Sequence, residues 1–151
     1  MMKKILFVTL IMALAFGCAP KKVVESTYEN GNPKVVKYYN KKKGELQLDK
    51  EIIYYENKTR KMEGTFKEEK REGIWKAWYD NGSLWSEGEY KGGKRNGIGI
   101  AYHPNGKKYI EGKYLDDIRI GKWTFYDTTG NIIKQVNFDE VPVSAENDTV
   151  K

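Results

Sequence analysis

The chain has 151 residues and a formal net charge of +6, from 27 lysines and arginines against 21 aspartates and glutamates. Its length suits one small domain. The mixed charge is too mild for a nucleic-acid surface, which gathers basic residues on one face, and the single cysteine, Cys18, excludes an intramolecular disulfide.

In chain order, the first element is apolar. Lys3 and Lys4 precede the run Ile5 to Gly17, which is 13 residues long. A membrane-crossing helix needs about 20 residues for a hydrocarbon core of roughly 30 Å, so residues 1–17 read as a secretory signal. The segment closes on Leu14-Ala15-Phe16-Gly17-Cys18, which resembles a bacterial lipobox. That resemblance implies cleavage before Cys18, a diacylglycerol on its thiol, acylation of the new amino terminus and membrane anchoring in the bacterial cell envelope. Several acyl chains on one residue anchor stably where one is marginal. No other cofactor is expected. Without Lys3 and Lys4, 25 basic residues face 21 acidic ones. Residues 18–27 read as the lipidated cysteine and a tether, and Lys41-Lys42-Lys43 as a solvated loop.

Residues 28–138 are a repeat array, the feature that decides the fold. Glu63-Gly64-Thr65-Phe66, Glu87-Gly88-Glu89-Tyr90 and Glu111-Gly112-Lys113-Tyr114 recur every 24 residues. Gly73, Gly97 and Gly121 keep the same step, as do Trp78, Tyr102 and Tyr126. Weaker copies pass through Tyr28-Glu29-Asn30-Gly31 and Tyr55-Glu56-Asn57, for four to five units. Each unit reads as a β-hairpin, because short aromatic-rich flanks surround Asp80-Asn81-Gly82-Ser83 and Pro104-Asn105-Gly106-Lys107. The expected fold is all-β: an elongated single-layer array of stacked antiparallel hairpins. Residues 139–151 read as a polar, disordered tail, with Pro142 unable to extend a ladder.

A two-residue Asn81-Gly82 turn would set Trp78 opposite Trp85, Ala77 opposite Ser86 and Trp75 opposite Gly88. It would likewise pair Tyr102 with Tyr109 and Tyr126 with Ile133. The Trp75 indole would then lie over Gly88, which has no side chain to obstruct it. A three-residue loop would shift the register and undo these pairs.

The units Gly73-Ile74-Trp75-Lys76-Ala77-Trp78-Tyr79-Asp80-Asn81-Gly82 and Glu87-Gly88-Glu89-Tyr90 resemble MORN repeats of the bacterial variant. Proteins of that variant are often labelled antitoxin components. The resemblance implies an elongated sheet of stacked hairpins used for protein or membrane-lipid association. Two departures stand out: Lys41-Lys42-Lys43-Gly44 interrupts the first unit, and Gly99 replaces the tryptophan of Trp75 and Trp123.

Catalytic chemistry finds little support. His103 has Tyr79 and Asp127 as repeat equivalents, which suits an exposed strand residue better than a general base needing an orienting partner. Asp116-Asp117 takes the slot of Gly92-Gly93 and reads as a solvated turn, too poor in oxygen ligands for calcium. Glu63, Glu87 and Glu111 read as a ladder of acids paired with lysines. No metal site is expected. The candidate binding-face aromatics are Trp75, Trp78, Trp85, Tyr102, Tyr109, Trp123 and Tyr126, which also serve to replace a core in a one-layer sheet. The expectation is a non-catalytic, lipid-anchored module that binds or scaffolds a protein partner, with a glycan- or peptidoglycan-binding lipoprotein as the alternative.

Overall fold

The computed structural model describes residues 19–139. They form one antiparallel sheet of ten strands that neighbour each other in chain order. The strands are β1 (Lys21–Thr27), β2 (Pro33–Lys42), β3 (Glu45–Tyr54), β4 (Arg60–Lys67), β5 (Lys70–Trp78), β6 (Leu84–Lys91), β7 (Lys94–Tyr102), β8 (Lys108–Leu115), β9 (Ile118–Tyr126) and β10 (Ile132–Asn137). Ten strands at about 4.8 Å each give a ribbon roughly 45 Å long. The expected all-β hairpin array is what forms, with one extension. Lys21–Thr27 is not a tether but the first strand, paired with β2 from Lys21 opposite Tyr39 to Thr27 opposite Pro33. Its adjacent β-branched Val23 and Val24 suit a strand, and the open edge of β2 offers the partner. Lys41 and Lys42, likewise, end β2 rather than forming a loop. Residues 1–18 and 140–151, which carry the signal segment, Cys18 and most of the tail, lie outside the described residues.

The turns are of two kinds, one at each end of the hairpins. At one end the Gly82 N–H donates to the Tyr79 carbonyl at 3.0 Å and the Tyr79 N–H to the Ser83 carbonyl at 2.9 Å. Gly82 has φ +84°. A type I turn closed by one left-handed residue is a three-residue loop. The same two bonds recur from Tyr28, Tyr55, His103 and Asp127. The tight two-residue turn expected at Asn81-Gly82 is therefore absent there. Its signature, two consecutive residues with positive φ, lies at the opposite end, at Lys43-Gly44, Glu68-Glu69, Gly92-Gly93 and Asp116-Asp117.

The longer loop does not undo the register, because a bulge on the returning strand absorbs the extra residue. Ala77 faces Ser86 and Trp75 faces Gly88, as expected, but Trp78 faces Leu84 rather than Trp85. In the same way Tyr102 faces Lys108 rather than Tyr109, and Tyr126 faces Ile132 rather than Ile133. The bulged rings pack on the loop instead. Trp85 lies 6.4 Å from Tyr79, and Tyr109 lies 5.1 Å from His103, between ring centroids.

Pleating then divides the side chains between two faces. One face carries the row Met62, Ala77, Ser86, Ala101, Ile110, Phe125 and, beside it, Trp75, Gly88, Gly99 and Gly112. The other carries Glu63, Lys76, Glu87, Ile100, Glu111 and Thr124. No second layer covers either face among the described residues. Burial is concentrated at Val36 and Ile52 near the start, and at Trp75, Ala77 and Trp123 along the indole face.

Candidate functional site

The indole face is built from glycines outward. Each buried tryptophan lies over a glycine of the preceding strand: Trp75 over Gly64 and Trp123 over Gly112, so closely that a Cβ on either glycine would fall inside the indole. Gly88, expected beneath Trp75, is instead open, with no atom nearer than 3.9 Å to where its Cβ would be. The indole leans back across the sheet because its N–H finds a partner there. Trp75 Nε1 donates to the Thr65 carbonyl at 3.1 Å, and Trp123 Nε1 to the Lys113 carbonyl at 3.2 Å. Ring edges close the sides. Phe66 meets Trp75 at 5.2 Å, and Tyr114 and Phe138 meet Trp123 at 4.9 and 5.9 Å. Guanidinium groups cap them: Arg71 lies 4.1 Å from the Trp75 ring centre, Arg95 4.2 Å from Tyr114 and Arg119 4.7 Å from Trp123. Arginine over an aromatic face is an electrostatically favourable arrangement.

The opposite face carries the acids. Glu63 sits between Lys50 and Arg60, Lys76 lies 3.3 Å from Glu87, and Lys108 lies 2.6 Å from Glu111. Tyr102 donates its hydroxyl to Glu87 at 2.8 Å, and Tyr126 donates to Glu111. Burial, and then the bond to Glu87, push the Tyr102 phenol up to about 12. The hydrogen bonds from Lys108 and then Tyr126 hold the Glu111 carboxyl below its usual range. The acids thus pair with lysines and are engaged by tyrosines as well.

These placements sort the seven aromatics singled out from sequence. Trp75 and Trp123 are core, at 4% and 2% exposure, so neither offers a ring to solvent. Trp78, Tyr102 and Tyr126 are half-buried on the acid face. Trp85 and Tyr109, at 48% and 46%, present open rings. The structure does not gather the seven into one site: they fall on two faces and at one end.

A further set was not legible beforehand. Tyr28, Tyr55 and Tyr79 each donate a hydroxyl to a backbone carbonyl of the next repeat, at Tyr54, Trp78 and Tyr102, over 2.8 to 2.9 Å. His103 continues the line, with Nε2 3.0 Å from the Tyr126 carbonyl. A carbonyl only accepts, so this nitrogen carries the proton. His103 is therefore half-buried and structural rather than an exposed strand residue. The recurrence of donors at this position was the available signal. Asp127, the next equivalent, turns back onto its own loop through Thr129 and Asn131. Asp117 sits in a turn, as expected, and clasps the preceding repeat. It accepts from the Arg95 backbone N–H at 2.9 Å and its Nε at 3.2 Å, and these bonds hold its carboxyl below the usual range. Among the described residues no group of three or more histidines, cysteines or acids is placed to hold a metal ion. No helix there is long and apolar enough to cross a membrane.

No curated protein matches the chain. A family match does exist, and its bounds follow the strand pairs. Residues 71–91 span β5 and β6, residues 95–116 span β7 and β8, and residues 119–140 span β9 and β10. Each of these three segments matches the MORN repeat variant, so residues 71–140 carry three successive MORN repeats.

Proposed function

We propose that this chain is a lipid-anchored, non-catalytic repeat protein of the bacterial cell envelope whose MORN array binds or scaffolds a protein partner. MORN repeats commonly serve binding or scaffolding, and Leu14 to Cys18 reads as a lipobox. The observation that carries the binding part is the exposure of apolar side chains on an otherwise charged sheet. Ile74 and Ile98, 24 residues apart, are 57% and 49% exposed, and the Trp85 and Tyr109 rings stand open beside the loops. Apolar and aromatic residues at the centre of a polar rim are the composition of non-obligate protein interfaces.

The test has two parts. Intact-mass measurement of the membrane fraction should show loss of residues 1–17 and gain of acyl chains, both abolished by Cys18→Ala. Affinity capture with wild type should then recover a partner that Ile74→Glu and Trp85→Ala lose. A soluble chain that keeps residues 1–17 would overturn the anchor and favour a cytoplasmic, antitoxin-type role.

One observation favours the glycan alternative. Trp85 and Tyr109 lie on strands β6 and β8, about 10 Å apart by two strand spacings, and open rings in series can stack on successive sugars. Titration with peptidoglycan fragments should then change tryptophan fluorescence in wild type and not in Trp85→Ala.

A further inference from the structure

The indole face has a missing member. Its row runs Gly64, Trp75, Gly88, Gly99, Gly112, Trp123 across β4 to β9, and Gly99 stands where the adjoining repeats have tryptophan. Everything that receives an indole in those repeats is nevertheless present in this one. Gly88 is the floor, matching Gly64 and Gly112, and only the backbone of Ile98 and Gly99 comes as near as 3.9 Å to its missing Cβ. Tyr90 and Tyr114 are the repeat equivalents of Phe66 and Tyr90, which flank Trp75, and the Tyr114 ring leans to 2.8 Å from the missing Cβ of Gly99 while leaving Gly88 open. Arg95 matches Arg71 and Arg119, and lies over the Tyr114 ring. Glu89 holds the position of Thr65 and Lys113, whose carbonyls accept the two indole N–H bonds. A cavity of about 220 Å³ opens here, lined by Gly88, Gly99, Tyr90, Tyr114 and Arg95. An apolar cavity of roughly 150 Å³ already takes benzene, so the space accommodates a bicyclic ring.

We propose that this cavity is a vacant ring slot, which binds one planar aromatic group of indole size over Gly88, with its N–H directed at the Glu89 carbonyl. The slot goes beyond the binding role given above, since it follows from repeat geometry whatever the chain associates with. The ring can arrive as a tryptophan side chain or as a free indole. The chemistry is the same in both: a flat apolar body, one N–H donor and a π face suited to the Arg95 guanidinium.

The test is amide chemical-shift titration of the 15N-labelled full-length chain, with indole and separately with N-acetyl-tryptophanamide. The expected result is saturable shifts at Gly88, Gly99 and Arg95. Gly88→Val should fold, because its Cβ has room and its backbone is not left-handed. It should weaken binding by at least about tenfold by occupying the floor. Gly99→Trp supplies the chain's own indole and should abolish binding, with the Tyr114 ring, 2.8 Å from where the new Cβ would lie, displaced to admit it. Should Gly99→Trp fail to fold, Gly88→Val decides. Tighter binding of the amide than of indole would identify the occupant as a side chain, and the reverse a free aromatic; both support the slot. An absence of saturable shifts at Gly88 and Gly99, or equal affinity in Gly88→Val, would overturn it. Neither result depends on whether a protein partner is captured.

Discussion

Adding one methyl group at Gly112 should damage the fold, while adding it at Gly88, the same position one repeat earlier, should not. Neither glycine has a left-handed backbone, so alanine is conformationally acceptable at both and only packing separates them. At Gly112 the new Cβ would fall inside the Trp123 indole, which is 2% exposed, donates to the Lys113 carbonyl and lies under Arg119. Overpacking a core costs roughly 1–3 kcal/mol, and losing a buried tryptophan altogether costs roughly 3–5 kcal/mol. The ring has to move off its glycine and give up its N–H bond, so Gly112→Ala should lose about 3 kcal/mol, where those ranges meet. Gly64→Ala should behave alike beneath Trp75. At Gly88 the Cβ meets nothing closer than 3.9 Å, and replacing a mid-strand glycine should gain about 0.5 kcal/mol from reduced chain entropy. Urea denaturation followed by tryptophan fluorescence compares the three variants directly, with unchanged slopes required before midpoints are converted. Equal losses in Gly112→Ala and Gly88→Ala would refute the packing argument, since the glycines would then be serving the backbone rather than an indole.

Three other outcomes follow from the same geometry. Glu68 and Glu69 both hold positive φ in a two-residue turn, so replacing them with Asn-Gly should raise stability by about 1 kcal/mol, read as a higher urea midpoint. Tyr79→Phe removes the hydroxyl bonded to the Tyr102 carbonyl. It should cost about 1 kcal/mol and speed hydrogen exchange at the loop between β5 and β6. The Tyr102 phenol is raised from 10.0 to about 12. A raised value means that the folded chain holds this proton more tightly than the unfolded chain does. Its contribution is therefore complete below pH 10 and lost as the pH climbs through 12. Alkaline denaturation should begin in that window, and Tyr102→Phe should flatten the fall; an unchanged profile would show that ionisation of the Tyr102 phenol, raised by burial and then by Glu87, is not the cause.

Much of this architecture is legible in the sequence because a repeat that cannot bury itself alone has to stack on its neighbours. The 24-residue step of Glu-Gly-x-Tyr and of the loop glycines determined the all-β hairpin array and its antiparallel order. The pairing of Trp75 with Gly88 and of Ala77 with Ser86, expected from a two-residue turn, survives the longer loop only because a bulge absorbs the extra residue. The repeat step did not determine the turn chemistry. Asn-Gly suits a two-residue turn, yet here the glycine alone is left-handed and the asparagine serves the turn itself, Asn81 Oδ1 accepting from the Ser83 N–H at 2.9 Å. The two-residue turns fall on Lys43-Gly44, Glu68-Glu69, Gly92-Gly93 and Asp116-Asp117, of which Asp116-Asp117 was expected as a turn from its slot and Glu68-Glu69 has residue types that gave no warning. Nor could spacing say which neighbour an indole covers. Trp75 faces Gly88 in register but lies over Gly64, because the Thr65 carbonyl on that side accepts its N–H. The sequence by itself therefore determined the unit, its period and the strand order, which depend on local pattern. The tertiary structure alone decided which rings are core, that His103 belongs to the inter-repeat spine, and that Gly99 leaves a cavity between two filled positions. Those depend on the direction a side chain leans between two neighbouring strands, and the position of a residue in the chain carries no such direction.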